Sequence, residues 1–243
     1  MSSTSELSFP GRAEIHHTHR DVTGGWLRPT VFGAMDGLVS NFALITGVAA
    51  GSHSNPTAIA LAGIAGLGAG AFSMAAGEYV SVASQAELAL AEIEVERREH
   101  ERSPDAEQNE LARLYQARGV DPALAAEVAR QLSRDPDGAL DVHVREELGI
   151  VPTDLPSPVL AAISSLLSFA AGAFLPLAPY LFGVSSLLPV VMISVIGLFL
   201  AGAVVSRVTA RSWWSSGLRQ LLFGVGAAAL TFGLGSLVGA AGI

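Results

Sequence analysis

Apolar residues fall into five long runs along this chain, at 30–50, 56–82, 158–179, 187–205 and 218–243. Each is near or above the roughly 20 residues that cross a hydrocarbon core of about 30 Å, so each reads as a membrane helix. The pattern predicts an all-α integral membrane protein of five spans. The first run lies behind a polar stretch, too deep in the chain for a cleavable signal peptide, and the chain is expected to begin as written. Between the second and third runs the pattern turns polar. No Gly or Pro occurs from Tyr79 to Ser103, so the second span is predicted to continue as one helix about 30 Å beyond the membrane at 1.5 Å per residue. Ser103-Pro104-Asp105 reads as a stop followed by a new helix start with Pro in its first turn. Three more helices are predicted, at 105–118 before Gly119, at 122–133, and at 140–148 before Gly149, with Pro136-Asp137-Gly138 as a turn. The organisation is thus an N-terminal arm (1–28), two spans (29–82), a small helical domain (83–157) and three spans (158–243).

Composition sharpens this picture. The 243 residues are 50% hydrophobic and 15% charged, against about 25% charged in soluble proteins, which excludes a wholly aqueous chain. All 14 basic residues are arginines. Arg12, Arg20 and Arg28 precede the first run, eight lie within 83–157, and Arg207, Arg211 and Arg219 surround the connection between the fourth and fifth. Five spans put every arginine on one side, which the positive-inside rule makes cytoplasmic. The N-terminus and the polar domain are therefore expected in the cytoplasm and the C-terminus outside. The arginine-rich, lysine-free composition points to a GC-rich bacterium, and so to a plasma membrane. Absence of cysteine excludes disulfides, thiolate metal centres and thiol nucleophiles. No phosphate-binding or dinucleotide glycine pattern is present, so neither enzymatic ATP or NAD chemistry nor a prosthetic group is expected.

Two sets of residues carry candidate chemistry. The first is Asp36, about six residues inside the first span, where an ionisable group is costly unless it faces protein or water. Gly33 and Gly37 bracket it as a small-x-x-x-small pair suited to close helix contact. Met74 and Glu78 share one face of the second span, with Met74 at a depth comparable to Asp36, and Ala62, Gly66 and Gly70 form a flat stripe leaving room for the first span. Met35 and Met74 taken alone read as gap-fillers. Grouped with two carboxylates at one depth, they read as an ion path. Carboxylates with a thioether favour iron or manganese over magnesium and calcium. A carboxyl in such surroundings is expected to stay protonated until a cation displaces its proton, the outline of an antiporter.

The second set lies in the polar domain. Seventeen of the 22 acids fall between Glu87 and Asp154 against eight arginines, a net charge of −9. Glu96 and Glu99 stand three apart on one helix, with Glu92 a turn earlier. Glu107 and Glu110 repeat the spacing, and His143 and Glu146 repeat it again, with Glu147 following. Three helices with such pairs can pack six ligands together. The blander reading is a solvated face laced with pairs such as Glu94–Arg98. His16, His17 and His19 read as part of a solvated arm. Trp213 and Trp214 read as interfacial anchors of the fourth connection, not a stacking platform, and no nucleic-acid partner is expected. Pro176 and Pro179 are taken to mark the outer end of the third span.

At Phe32-Gly-Ala-Met-Asp-Gly-Leu-Val-Ser, Ser73-Met-Ala-Ala-Gly-Glu-Tyr-Val-Ser and Arg145-Glu-Glu-Leu-Gly-Ile the chain resembles the vacuolar iron transporter family. The likeness runs from Gly24 onward and includes the span count and the inserted acidic domain. Members are described as proton-coupled exporters of ferrous iron, often of manganese too, working as homodimers of five-span subunits. The resemblance implies that Asp36 and Met74 line the path with Glu78 close by. It also implies that Glu96, Glu99, Glu107 and Glu110 gather metal. The last pair departs from the family's two glutamates: His143 and Glu146 stand there, with Glu147 as the alternative. The expected function is therefore proton-coupled export of Fe(II), and of Mn(II), from the cytoplasm. Its partners would be divalent ions, protons, membrane lipid and a second copy of the chain. The rival is a membrane-tethered, carboxylate-rich module that binds or oxidises iron as ferritin-like bundles do.

Overall fold

The computed structural model describes residues 25–209 and 211–241. Most of the N-terminal arm, including Arg12, Arg20, His16, His17 and His19, lies outside the described residues. Helix α1 (Leu27–Gly51) leads through a tight loop into α2 (Pro56–Arg102). His53 and Ser54 take left-handed φ values of 52° and 61° in that loop. Asn55 caps α2 by accepting hydrogen bonds from the amides of Thr57 and Ala58 at 3.0 and 3.2 Å. With no proline beyond its first residue, α2 runs unbroken for 47 residues, about 70 Å at the α-helical rise. The polar domain follows as α3 (Pro104–Ala117), α4 (Pro122–Leu132) and α5 (Pro136–His143), the last running into a π-turn at Val144–Leu148. Gly149, with φ of 66°, ends that turn. Helices α6 (Pro158–Leu181), α7 (Leu187–Thr209) and α8 (Trp213–Ala241) complete the chain. Five helices (α1, α2, α6, α7 and α8) are long and apolar enough to cross a membrane: this is an all-α integral membrane protein. Among the described residues, every arginine lies at the end of the bundle from which α2 projects.

Two local expectations change. Pro136-Asp137-Gly138, predicted as a turn, opens α5: Pro136 needs no amide hydrogen at the first helical position, and Asp135 provides an extended cap residue. Pro176 and Pro179 fall in the last two turns of α6, at the end of the third span as expected, and the helix continues past them only to Leu181. Proline is tolerated in membrane helices because neighbouring groups and local adjustment satisfy the freed carbonyls. Trp213 and Trp214 form the first turn of α8 rather than a connection, both more than half exposed and packed edge-on against Phe199.

Small residues set the helix distances. Gly33 and Gly37 face α6, where a Cβ at Gly37 would overlap the Phe169 carbonyl and one at Gly33 would overlap the Ser168 hydroxyl. Gly172 of α6 meets the Ala34 carbonyl in the same way. The glycine stripe of α2 is divided: Gly66 faces Leu44 and Asn41 of α1, whereas Gly70 faces the Phe169 ring of α6. Helix α6 is thus wedged against both α1 and α2, and a core of Leu38, Phe42, Ile45, Ile59, Leu177 and Leu198 fills the centre. Gly37→Val is expected to cost about 3 kcal/mol, the upper end of ordinary overpacking, because backbone rather than a flexible side chain must move. Thermal melting in detergent checks this, with Gly68→Val, which has open space around it, as the nearly neutral comparison. In the polar domain Leu111, Ala112 and Ala129 join α3 and α4, with Tyr115, Leu132 and Val142 packed around them.

Candidate metal-binding sites

Between α1, α2 and α6 lies a cavity of about 320 Å³. Its polar wall is Asp36, Ser40 and Asn41 from α1 with Ser73 and Met74 from α2; Phe169 of α6 closes one side. The space exists because Gly66 and Gly70 contribute no side chain to it. At about 30 Å³ per water molecule it has room for a partly hydrated ion. Asp36 is exposed at its open side. The Ser40 hydroxyl donates to the Asp36 carbonyl at 2.6 Å, so its lone pairs remain available. Asn41 is 2% exposed. Its Nδ2 donates to the Ala173 carbonyl at 2.7 Å, while its Oδ1 has no hydrogen-bond partner.

Asp36 and Met74 are therefore brought to one cavity, whereas Met35 and Glu78 are not among its lining residues. Met35 is half-buried beside Asp36 in sequence. Glu78 lines a separate cleft of about 170 Å³ nearer the polar domain, with Arg28, Gln85 and Pro156. Its Oε2 is buried without a hydrogen-bond partner. Sequence reasoning passed over Ser40, Asn41 and Ser73. The available signal was an amide five residues beyond Asp36, itself costly in a span.

In the polar domain, Glu96 and His100 of α2, Glu107 of α3 and His143 of α5 each place one potential ligand atom within 4.8 Å of the others. Glu110, His143 and Glu147 form a second such group, sharing His143. His143 is fully buried. Its Nε2 lies 3.5 Å from Glu96 Oε1, 3.7 Å from Glu107 Oε2 and 3.2 Å from Glu147 Oε2. Its Nδ1 is 3.2 Å from His100 Nε2. Glu96 Oε1 and His143 Nε2 are buried without hydrogen-bond partners. Such a knot of unsatisfied donors and acceptors suits a cation, which the carboxylates and imidazoles together can ligate.

The electrostatics agree. Burial, reinforced by the charges of Glu147 and Glu107, pushes Glu96 up to about 7. Burial also raises Glu107, against the pull of His143, and lowers His100, helped by His143. Without metal, folding thus favours protonated Glu96: its stabilising effect is complete below the ordinary carboxylate value of 4.5 and is lost as pH rises through about 7. Metal reverses the sign, because the ion must displace that proton. Mn(II) affinity at this cluster is expected to fall as pH drops from about 8 to about 5.5, most steeply near 7, with proton release on binding. Titration calorimetry in buffers of different ionisation enthalpy measures both.

Two sequence candidates stand outside the cluster. Glu99 is exposed on α2. Glu146 pairs with Arg118, whose Nη2 also donates to the Glu146 carbonyl at 2.9 Å, and it accepts a hydrogen bond from the Tyr115 hydroxyl at 3.4 Å. Glu147 stands four residues after His143, one helical turn on and on the same face. His100, missed from sequence, sits four residues after Glu96; the spacing was visible, but not which neighbour faced inward. The Glu94–Arg98 pair is a solvent-exposed bridge of 3.2 Å.

The VIT family profile matches residues 27–236. A vacuolar iron transporter of Acanthamoeba castellanii is 40% identical over 224 residues, covering 88% of this chain and 79% of that protein. Vacuolar iron transporter 1 of Oryza sativa subsp. japonica is 30% identical over 227 residues, covering 92% and 90%. That of Arabidopsis thaliana is 29% identical over the same length and coverage. The profile runs from the first turn of α1 into the last turns of α8 and takes in both candidate sites: this chain belongs to the VIT family.

Proposed function

We propose that this protein moves divalent transition metal ions, ferrous iron and manganese, out of the cytoplasm in exchange for protons. The observation that carries this reading is the cavity between membrane helices that Asp36 and Met74 both line. A carboxylate there can hold either a proton or part of an ion's charge, and the thioether favours transition metals over magnesium and calcium. Family membership and relatives named for iron transport support metal ions as cargo. The cluster around His143 gathers ions at the end of the α2 stalk, and Glu78, in its cleft nearer that end, lies between the two sites along α2. The common side of the arginines supports a cytoplasmic acidic domain and an outside C-terminus, and the arginine-rich, lysine-free composition supports a bacterial plasma membrane. No chemical conversion of the ion forms part of this reading.

The protein works as a homodimer in this proposal. Phe32, Asp36 and Ser40 lie at successive turns of α1 and are exposed in the single chain. A carboxylate facing lipid is costly, and a second copy covering this stripe removes the cost. The buried Glu96–Glu107–His143 knot favours a second reading, a tethered module that binds or oxidises iron without moving it. Vesicles containing the purified protein and an entrapped metal-sensitive dye separate the two. Transport predicts a lumenal Mn(II) signal that scales with protein. The tethered module predicts metal bound to the outer face and an unchanged lumenal dye.

A further inference from the structure

Asn41 is buried to 2% exposure in the wall of the Asp36 cavity. The Ala173 carbonyl can only accept a hydrogen bond, so the 2.7 Å contact fixes which end of the amide is nitrogen. That end points to α6 and leaves Oδ1 with no hydrogen-bond partner. Gly66 of α2 sits beside this oxygen, and a Cβ there would lie 3.1 Å from it. A buried amide oxygen left unsatisfied is expensive, and here the oxygen is held at a cavity that already contains a carboxylate and a thioether.

We propose that Asn41 Oδ1 is a direct, neutral ligand of the transported ion, which it meets together with Asp36 and Met74. This inference rests on the transport reading of the cavity and specifies its selectivity. The set has one negative charge, one hard neutral oxygen and one soft sulfur. It holds a first-row divalent ion without neutralising it, so water completes the coordination and release remains possible. The oxygen weights the site toward harder ions such as Mn(II), and the sulfur toward softer ones such as Co(II). Helix α6 contributes by clamping the amide through Ala173, which makes Asn41 a specificity-determining residue.

The test uses the full chain in vesicles, with Mn(II) and Co(II) as separate probes. Asn41→Leu keeps similar volume and removes the oxygen. It is expected to lower the Mn(II) maximal rate over KM by about tenfold and that for Co(II) much less, so the Mn(II) to Co(II) ratio falls at least about threefold. Met74→Leu is expected to move the ratio the opposite way. Equal losses for both ions in Asn41→Leu, or a wild-type ratio, would mean that Asn41 serves packing or a bridging water and would overturn the proposal. If Asn41→Leu does not fold, Asn41→Asp decides: keeping an oxygen and adding charge should lower the Mn(II) KM at least about threefold and slow turnover, and an unchanged KM overturns the proposal. Asp36→Ala separates the two levels. Wild-type transport in Asp36→Ala would sink the transport path itself, whereas an inactive Asp36→Ala beside an unshifted ratio in Asn41→Leu sinks only the role of Asn41.

Discussion

Asp36→Ala is expected to reduce metal flux by about 100-fold or more while leaving metal binding by the acidic domain intact. Changing a group that merely orients a metal ligand already costs about 10- to 100-fold, and Asp36 is the only charged side chain among the described residues that line its cavity. Without it, a divalent ion entering the membrane keeps its full charge against serine, amide and thioether groups, and no carboxyl remains to exchange for a proton. Asp36→Asn retains the shape and loses the charge, so it should be nearly as damaging. Initial rates of entrapped-dye quenching give the flux. Calorimetric Mn(II) binding on the same preparations reports whether the acidic-domain cluster, about 33 Å away by the reach of α2 from Met74 to Glu96 at about 1.5 Å per residue, is unaffected.

His143→Ala should remove most metal binding from the acidic domain, by about 100-fold in affinity, and soften the domain as well. The imidazole is fully buried, with carboxylate oxygens of Glu96, Glu107 and Glu147 within 3.7 Å of one nitrogen. Its removal deletes a ligand and leaves a void among acids that repel one another, with a cavity cost of about 2–3 kcal/mol before any metal is considered. Glu146→Ala provides the contrast. It breaks the bridge to Arg118, worth under about 1 kcal/mol at a half-exposed pair, and should leave Mn(II) affinity within about twofold. Transport at saturating metal should survive His143→Ala, whereas transport at low metal should fall, since the cluster gathers ions and the membrane cavity carries them. Calorimetry reads the affinities, and amide hydrogen exchange across α3 to α5 reads the loosening.

The membrane architecture was open to reading in the sequence because lipid imposes a simple rule: apolar runs of fixed length and arginines on one side leave few alternatives. The continuation of α2 beyond the membrane was equally visible from the lack of Gly and Pro between Tyr79 and Ser103. Local chemistry was less visible. Pro136 looked like a turn residue, although proline also opens helices, and only the packing of α5 against its neighbours selects between them. Asp36 and Met74 were linked by depth alone, and depth does not report rotation about the helix axis. For that reason Met35 and Glu78 joined the set in sequence but line no shared cavity with Asp36, and Asn41 escaped notice. In the acidic domain the i, i+3 and i, i+4 neighbours of Glu96 are Glu99 and His100. Both lie on the same broad face, and the choice of His100 depends on where α5 docks. Glu147, four residues after His143, faces it across one turn, while Glu146 is drawn to Arg118 and Tyr115, and the i, i+3 spacing alone did not separate the two.

The decisive measurement is Mn(II) accumulation in protein-containing vesicles, acidic inside and with equal metal on both sides, as the pH difference is imposed and then collapsed. Lumenal Mn(II) is predicted to rise above the outside level while the proton gradient lasts, to fall back when an ionophore dissipates it, and to stay level throughout with Asp36→Ala. Equal accumulation with Asp36→Ala, or Mn(II) that merely equilibrates whatever the pH difference, would contradict an exchange of protons for metal at Asp36.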